Sequence, residues 1–474
     1  MTAVSMQAVV PRLFVCLLCV CAASSARAEA AATATREDAV NRNGARYSLS
    51  AHGETHAALF QRALLPGTYG AVIADETLLP VYQYAQLSAR DLNIASKGSG
   101  LDLELSAWCR GELATSSNER GADGDVQAAN LGYHQGPFAA RFGRQHVAGG
   151  AARYARFDGV LVEAELGSGF DARIYTGLSV LPRWNERPGY TYLGAAVDSR
   201  LKDPASSSGT LGRADHWLAG GRIGWTASRL RTGLSFHEQH ESGGLSRRTL
   251  TLDGTSELGA SLRAGASASA ELEATRISEA RAWVDTNPTT FLDLSLEWLH
   301  TEPALFLSRQ SVLSVFSTAE YDEGGARASV RASDRIALEA GAWAELYSGS
   351  RPGARSEVSL RVIADRAGRT FVRLAYARVL TPDNGYHSLR SSLTRRILNQ
   401  LSGTLEAYAY LYDHAIKSYI ASTVYSGTLE YRPGRAVGLL WAASFVRSPY
   451  ANLDAQTQIR LAYDFDFITT RGGR

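Results

Sequence analysis

The chain has 474 residues, 49 of them basic and 47 acidic, for a formal net charge of +2. That balance excludes a nucleic-acid binder, which carries a strong basic surplus. Past the N-terminus no run of about 18 apolar residues occurs, which excludes a bundle of transmembrane helices.

At the N-terminus Arg12 precedes an apolar run over residues 13–23, and small residues follow, ending in Ala26-Arg27-Ala28. A positive residue, a short apolar core and an A-x-A site predict a secretory signal peptide over residues 1–28, cleaved after Ala28. Cys16, Cys19 and Cys21 lie in this leader, so Cys109 is the one thiol left and no internal disulfide forms. Loss of Arg12 and Arg27 with the leader brings the chain close to neutrality. Residues 29–45 read as a flexible periplasmic lead-in, and residues 46–474 as one barrel domain.

From there the recurrent pattern is strict alternation, which on a strand separates two faces. Leu101, Leu103, Leu105 and Ala107 alternate with Asp102, Glu104 and Ser106. Leu292, Leu294, Leu296 and Trp298 alternate with Asp293, Ser295 and Glu297. The same holds for Ile336, Leu338 and Ala340 against Glu339, Gly341 and Trp343, and for Val358, Leu360 and Val362 against Glu357, Ser359 and Arg361. Leu405, Ala407 and Ala409 alternate with Glu406, Tyr408 and Tyr410. Ile459, Leu461, Tyr463, Phe465 and Phe467 share a face opposite Arg460, Asp464 and Asp466.

Segments of about ten residues, apolar on one face and charged on the other, are the signature of a transmembrane barrel. A soluble sandwich also alternates, but its strands are shorter, about 5–6 residues. In lipid every backbone polar group must be satisfied internally, so a sheet that crosses must close. The predicted fold is therefore all-β, a transmembrane antiparallel up-and-down barrel of about 20 strands, within roughly 18 to 22. Strand candidates begin near Tyr47 or Val81 and end at Phe467. Turns are expected at Asp123-Gly124, at Asp322 to Gly325, at Ser333-Asp334, at Arg351-Pro352-Gly353, at Pro382 to Gly385 and at Pro433-Gly434. Residues 181–216, with Pro182, Pro188, Pro204 and a serine run, read as a long extracellular or inward-folded loop.

Arginine is densest at Arg141, Arg144, Arg153 and Arg156, beside Gln145 and Asp158. With Phe142 toward lipid, Arg141, Gly143 and Gln145 face the lumen. Arginines at a constriction would favour anions; alternatively they pair with acidic residues of neighbouring strands and stiffen the wall. The pore-lining candidates are Arg141, Gln145, Arg153, Arg156, Asp158, Asp293, Glu297, Arg361 and Arg373. The run Arg141-Phe142-Gly143-Arg144-Gln145, then Gly149-Gly150, then Phe157-Asp158-Gly159-Val160 resembles the alginate-export and related porin-like families. What the resemblance implies is an outer-membrane channel; it does not specify the cargo. The closing strand over residues 457–467 resembles the C-terminal assembly signal of outer-membrane proteins, although residues 468–474 follow its last aromatic. That implies handling by the barrel assembly machinery during insertion.

Catalytic alternatives are weak. In His237-Glu238-Gln239-His240 the histidines are three apart, not the four of a zinc-protease helix. Gly254 to Leu258 and Gly265 to Ser269 lack the last glycine of a nucleophile elbow. Asp123 and Asp125 have no downstream Glu to complete a calcium loop. Trp108, Trp343, Tyr408 and Tyr410 fall on lumen faces, as a track for sugar rings or as interior packing. The expectation is a non-enzymatic channel in the outer membrane of a Gram-negative-type bacterium. It would pass small polar or anionic solutes or oligosaccharides, with no cofactor or metal. Membrane lipid would be its surroundings and homo-oligomerisation is open. A barrel enzyme or a structural barrel with a plugged lumen is the alternative.

Overall fold

The computed structural model describes residues 46–64, 74–92, 99–113, 122–180, 216–241, 243–302, 320–349, 351–382, 384–416, 418–449 and 451–470. The expected leader, the lead-in and nearly all of the 181–216 loop lie outside the described residues. The strands are β1 (Arg46–Leu64), β2 (Ala74–Leu78), β3 (Pro80–Leu92), β4 (Ser99–Glu112), β5 (Ala122–Gln135), β6 (Phe138–Gly149), β7 (Arg153–Gly167) and β8 (Phe170–Ser179). Then come β9 (Trp217–Thr226), β10 (Leu230–Glu241), β11 (Gly244–Glu257), β12 (Leu262–Glu271), β13 (Arg276–Thr289), β14 (Leu292–Thr301), β15 (Tyr321–Ser333) and β16 (Ile336–Tyr347). The last are β17 (Arg351–Ile363), β18 (Thr370–Leu380), β19 (Gly385–Leu398), β20 (Leu401–Ile416), β21 (Tyr419–Tyr431), β22 (Val437–Ser448) and β23 (Ala451–Thr470).

Each strand pairs antiparallel with its neighbours, and β1 pairs with β23 from Arg46↔Thr470 to Leu64↔Ala451. The sheet is therefore closed and has no free edge, the condition for crossing lipid. β2 and β3 follow one another along the same side of β1, so the 23 segments make a ring of 22 strands. An even ring lets every pairing stay antiparallel.

Alternation sets the register as expected. Leu103, Leu105, Leu296, Trp298, Leu338, Val358, Leu405, Ile459 and Leu461 are exposed on the outside. Their alternates face inward, where Glu297 meets Arg281 and Trp343, Arg327 meets Glu339 and Glu357, and Arg390 meets Glu406. Ion pairs on one face and bare apolar side chains on the other divide lumen from lipid.

Three of the expected turns are corrected. Asp123-Gly124 lies inside β5, Asp322 to Gly325 inside β15, and Arg351 to Gly353 at the start of β17. The glycines there make room instead of bends: a Cβ on Gly325 would lie 2.2 Å from the Trp343 ring, and one on Gly353 2.8 Å from Tyr347. Ser333-Asp334, Pro433-Gly434 and, of the expected turn at 382–385, the described residues Pro382, Asn384 and Gly385 do stand at strand ends. On the side that carries the start of β1 and the end of β23 the turns are mostly short, such as Gly136-Pro137 and Ser168-Gly169.

Candidate functional site

One hairpin leaves the wall. The β5–β6 pairing ends at Ala129↔Arg144 and the β7–β8 pairing ends at Phe157↔Ser179, yet β6 and β7 stay paired to Gly149↔Arg153. The departure starts at two glycines that face each other in the register, Gly143 and Gly159. Gly143 has φ +112°, and a Cβ there would sit 2.3 Å from the Ala129 carbonyl oxygen. A Cβ on Gly159 would sit 2.0 Å from the Thr176 carbonyl oxygen. Any other residue would push the neighbouring strands apart at this bend.

The freed end forms a tongue whose tip, the 3-10 turn Gly150–Ala152, lies on β10 and β11. The Ala151 N–H donates to Ser235 Oγ at 2.9 Å, and Arg247 donates to the Ala152 carbonyl at 3.2 Å. Ser235 alternates with Leu234 and Phe236, which are exposed outward, so the tongue lies inside the barrel. Arg153, at the tip, donates to Glu279 of β13 at 2.6 Å. Val147, Ala152, Ala155 and Phe157 of the tongue pack with Leu161, Tyr175 and Leu218 as a buried apolar cluster. Behind it the Tyr175 hydroxyl meets His237 Nδ1 at 2.9 Å. The opposite side of the hairpin carries His146 stacked on Tyr154, both exposed.

At the root of the tongue the charges are paired. Arg144 grips Asp158 with Nε and Nη2 at 2.7 and 2.9 Å, and Arg156 donates to Asp125 at 2.7 Å. Asp125 also accepts from Arg144 at 3.4 Å, which ties β5 to the hairpin. Such bidentate arginine–carboxylate contacts are geometrically specific as well as strong. Arg141 and Arg173 share Glu163. Of the sequence candidates, Arg141, Arg153, Arg156, Asp158 and Gln145 are thus brought together at the tongue. Gln145 and Arg156 are 2% and 4% exposed, so they sit within the seam, not on the water-facing surface. Asp293 and Glu297 lie on the inner face of β14, and Arg361 stands opposite Arg373 on β17 and β18, away from the tongue. That Asp125, Glu163 and Glu279 are the acidic partners was not read from the sequence, which offered pairing with neighbouring strands only in general. These three residues come from separate strands, and no local spacing links them to the arginines.

Under the tip is a cavity of about 810 Å³ whose lining includes His134, Arg153, Arg173, Arg222, Asp253 and Glu279. Both signs are present, with Arg222 paired to Asp253 in two hydrogen bonds. His237 and His240 do not converge on a metal: His237 is buried inside against Tyr175, while His240 stacks on Trp217 outside. Among the described residues one metal-type grouping occurs, Asp91, Asp102 and His134. There His134 lies between the two carboxylates, at 3.3 and 3.6 Å.

No protein-family model and no curated protein matches the chain. Solved structures do resemble it in fold. OccK9 (OpdG) of Pseudomonas aeruginosa is 10% identical, with a TM-score of 0.42 over 88% of this chain and 98% of that one. The outer membrane protein OpdK of the same organism is 11% identical, with a TM-score of 0.40 over 88% and 99%. The translocation pore of the P pilus usher PapC is 8% identical, with a TM-score of 0.41 over 88% and 99%. The expected likeness to the alginate-export family is not shown by these comparisons, and the chain as a whole is an all-β, closed antiparallel barrel of 22 strands.

Proposed function

We propose that the protein is a passive outer-membrane channel for small polar solutes, with the β6–β7 tongue setting the cross-section of its lumen. The observation that carries this reading is the tongue seated on the inner wall by Ser235, Arg247 and Glu279. Barrels of this size have an aqueous interior unless something fills it. A hairpin held against one side narrows such an interior. The lumen surface is polar and of mixed sign, as a path for hydrated solutes requires. Because Arg141, Arg144, Arg153 and Arg156 each have a carboxylate partner, their field is largely cancelled. The channel then discriminates by size and polarity more than by sign of charge.

The test is planar-bilayer conductance of the folded mature chain, beside a variant with Arg141, Arg153 and Arg156 changed to alanine. Stable ohmic steps whose size or ion selectivity changes in the variant support a pore that runs past the tongue. A silent bilayer from protein shown to be folded refutes it and leaves a plugged barrel.

A further inference from the structure

We infer that the outer wall at the terminus-side end of β18–β20 carries a binding site for the phosphodiester headgroup of an anionic phospholipid. The inference rests on the transmembrane barrel alone and is independent of whether the lumen conducts. It starts from Arg395, which shares the outward face of β19 with the exposed Leu389, Leu393 and Ile397. An exposed arginine thus stands at the end of the apolar band, where lipid headgroups lie.

Its neighbours match an amphiphile. Opposite Arg395 in the β19–β20 register is Gly403, which presents no side chain outward. A Cβ there would come 3.2 Å from Leu429 Cδ2 and 3.7 Å from Ile397 Cδ1, so the glycine floors a shallow apolar dip beside the guanidinium. On the other side Arg395 faces Thr370, the first residue of β18 after the turn that holds Arg366 and Arg369. That turn is tied to β19, since Arg396 N–H donates to the Arg369 carbonyl at 2.8 Å.

Positive charge there exceeds the acid, since one carboxylate, Asp365, stands within reach of the Arg395 charge. Arg366, Arg369 and Arg395 are exposed, and among the described residues none of the three has a carboxylate within salt-bridge distance. The acid of the turn, Asp365, is already engaged by the Arg369 N–H at 2.6 Å and by the Thr370 N–H and hydroxyl at 3.2 Å each. Three guanidiniums against one carboxylate, over an apolar dip, present the complement of a phosphate group with acyl chains below it.

The experiment is native mass spectrometry of the folded mature chain in detergent, titrated with phosphatidylglycerol and with phosphatidylcholine. The wild type is expected to retain phosphatidylglycerol preferentially. The preference should fall about five-fold for each arginine removed in Arg366→Gln, Arg369→Gln and Arg395→Gln. Arg229→Gln, in a turn on the far part of the same rim, is expected to leave it intact. A salt titration of the wild type gives the same reading without any mutation, the preference collapsing as ionic strength rises. Equal retention of both lipids, a preference that survives the triple variant, or an equal loss in the Arg229→Gln control would overturn the proposal. So would displacement of the lipid by millimolar inorganic phosphate, which would make the site one for free phosphate.

Discussion

Arg153 and Glu279 meet at 2.6 Å inside the barrel, although β8 to β12 stand between their strands in the wall. Only a hairpin lying across the inner surface can bring them together. The pair therefore reports whether the tongue is seated. Replacing either residue by alanine should loosen the tip and raise single-channel conductance. The pair is partly exposed, so a double-mutant cycle on the two should give a coupling of about 1 kcal/mol. Unchanged conductance in Arg153→Ala and Glu279→Ala would mean that the tongue does not limit flow.

The apolar underside makes a stronger prediction. Phe157 is fully buried between the tongue and Tyr175, with ring centroids 5.7 Å apart. Phe157→Ala removes the largest side chain that the tongue gives to this cluster, a loss of about 3–5 kcal/mol in a packed core. The loss falls on tongue docking and not on the strand ladder. The barrel should still fold, shown by heat-modifiable mobility on gels, while its conductance becomes larger and noisier. Failure of the variant to fold at all would place Phe157 in the barrel core instead.

Trp343 offers a test of the inner wall. Its ring lies against Arg355 at 4.0 Å, its Nε1 donates to Glu297 at 2.7 Å, and Gly325 and Gly341 leave space for it. Gly325→Ala should cost about 1–3 kcal/mol, because the new methyl group collides with the ring. Combining it with Trp343→Ala should remove most of that extra cost. Additive losses in the double variant would show that the glycine is there for another reason.

The turn acid Asp365 predicts a pH effect outside the membrane span. Desolvation pushes its carboxyl up, but hydrogen bonds from Arg369 N–H, Thr370 N–H and the Thr370 hydroxyl, with the charge of Arg395, outweigh it and hold the carboxyl below its usual value. A group held down on folding contributes stability that is present above its unfolded pKa and lost as pH falls through the folded one. Acid should therefore loosen the 364–369 turn in the wild type. Asp365→Asn should remove that part of the pH dependence, read by hydrogen exchange at Arg369 and Thr370. An identical acid profile in both proteins would contradict it.

The wall was legible in the sequence where both faces speak. On β14, β16, β17 and β20 the outward residues are apolar and the inward ones charged, and a period of two admits one register. The tongue was legible only as a cluster of arginines and glycines. Its inward course depends on Ser235 and Glu279, residues far along the chain that look like ordinary lumen positions. The turn misreadings share one cause. Glycine marks a bend by its backbone freedom, but in β15 and β17 it serves as a vacancy for Trp343 and Tyr347, which alternation does not reveal.

The division between lipid and lumen can be tested on a single strand. Leu294 and Leu296 of β14 face outward, and Ser295 between them faces inward, where its hydroxyl donates to Asp285 at 2.7 Å. An arginine on the lipid face near the midplane costs about 2–4 kcal/mol, whereas the lumen face offers water and carboxylates. Leu296→Arg should lower the stability of the vesicle-inserted barrel in denaturant by that amount. Ser295→Arg should change it by less than half as much, with Asp285 in reach as a partner. The contrast depends on side-chain direction alone, since the two positions are adjacent in the chain. Equal losses at both would mean that β14 is not a lipid-facing stave and that the closed wall is solvated on both sides.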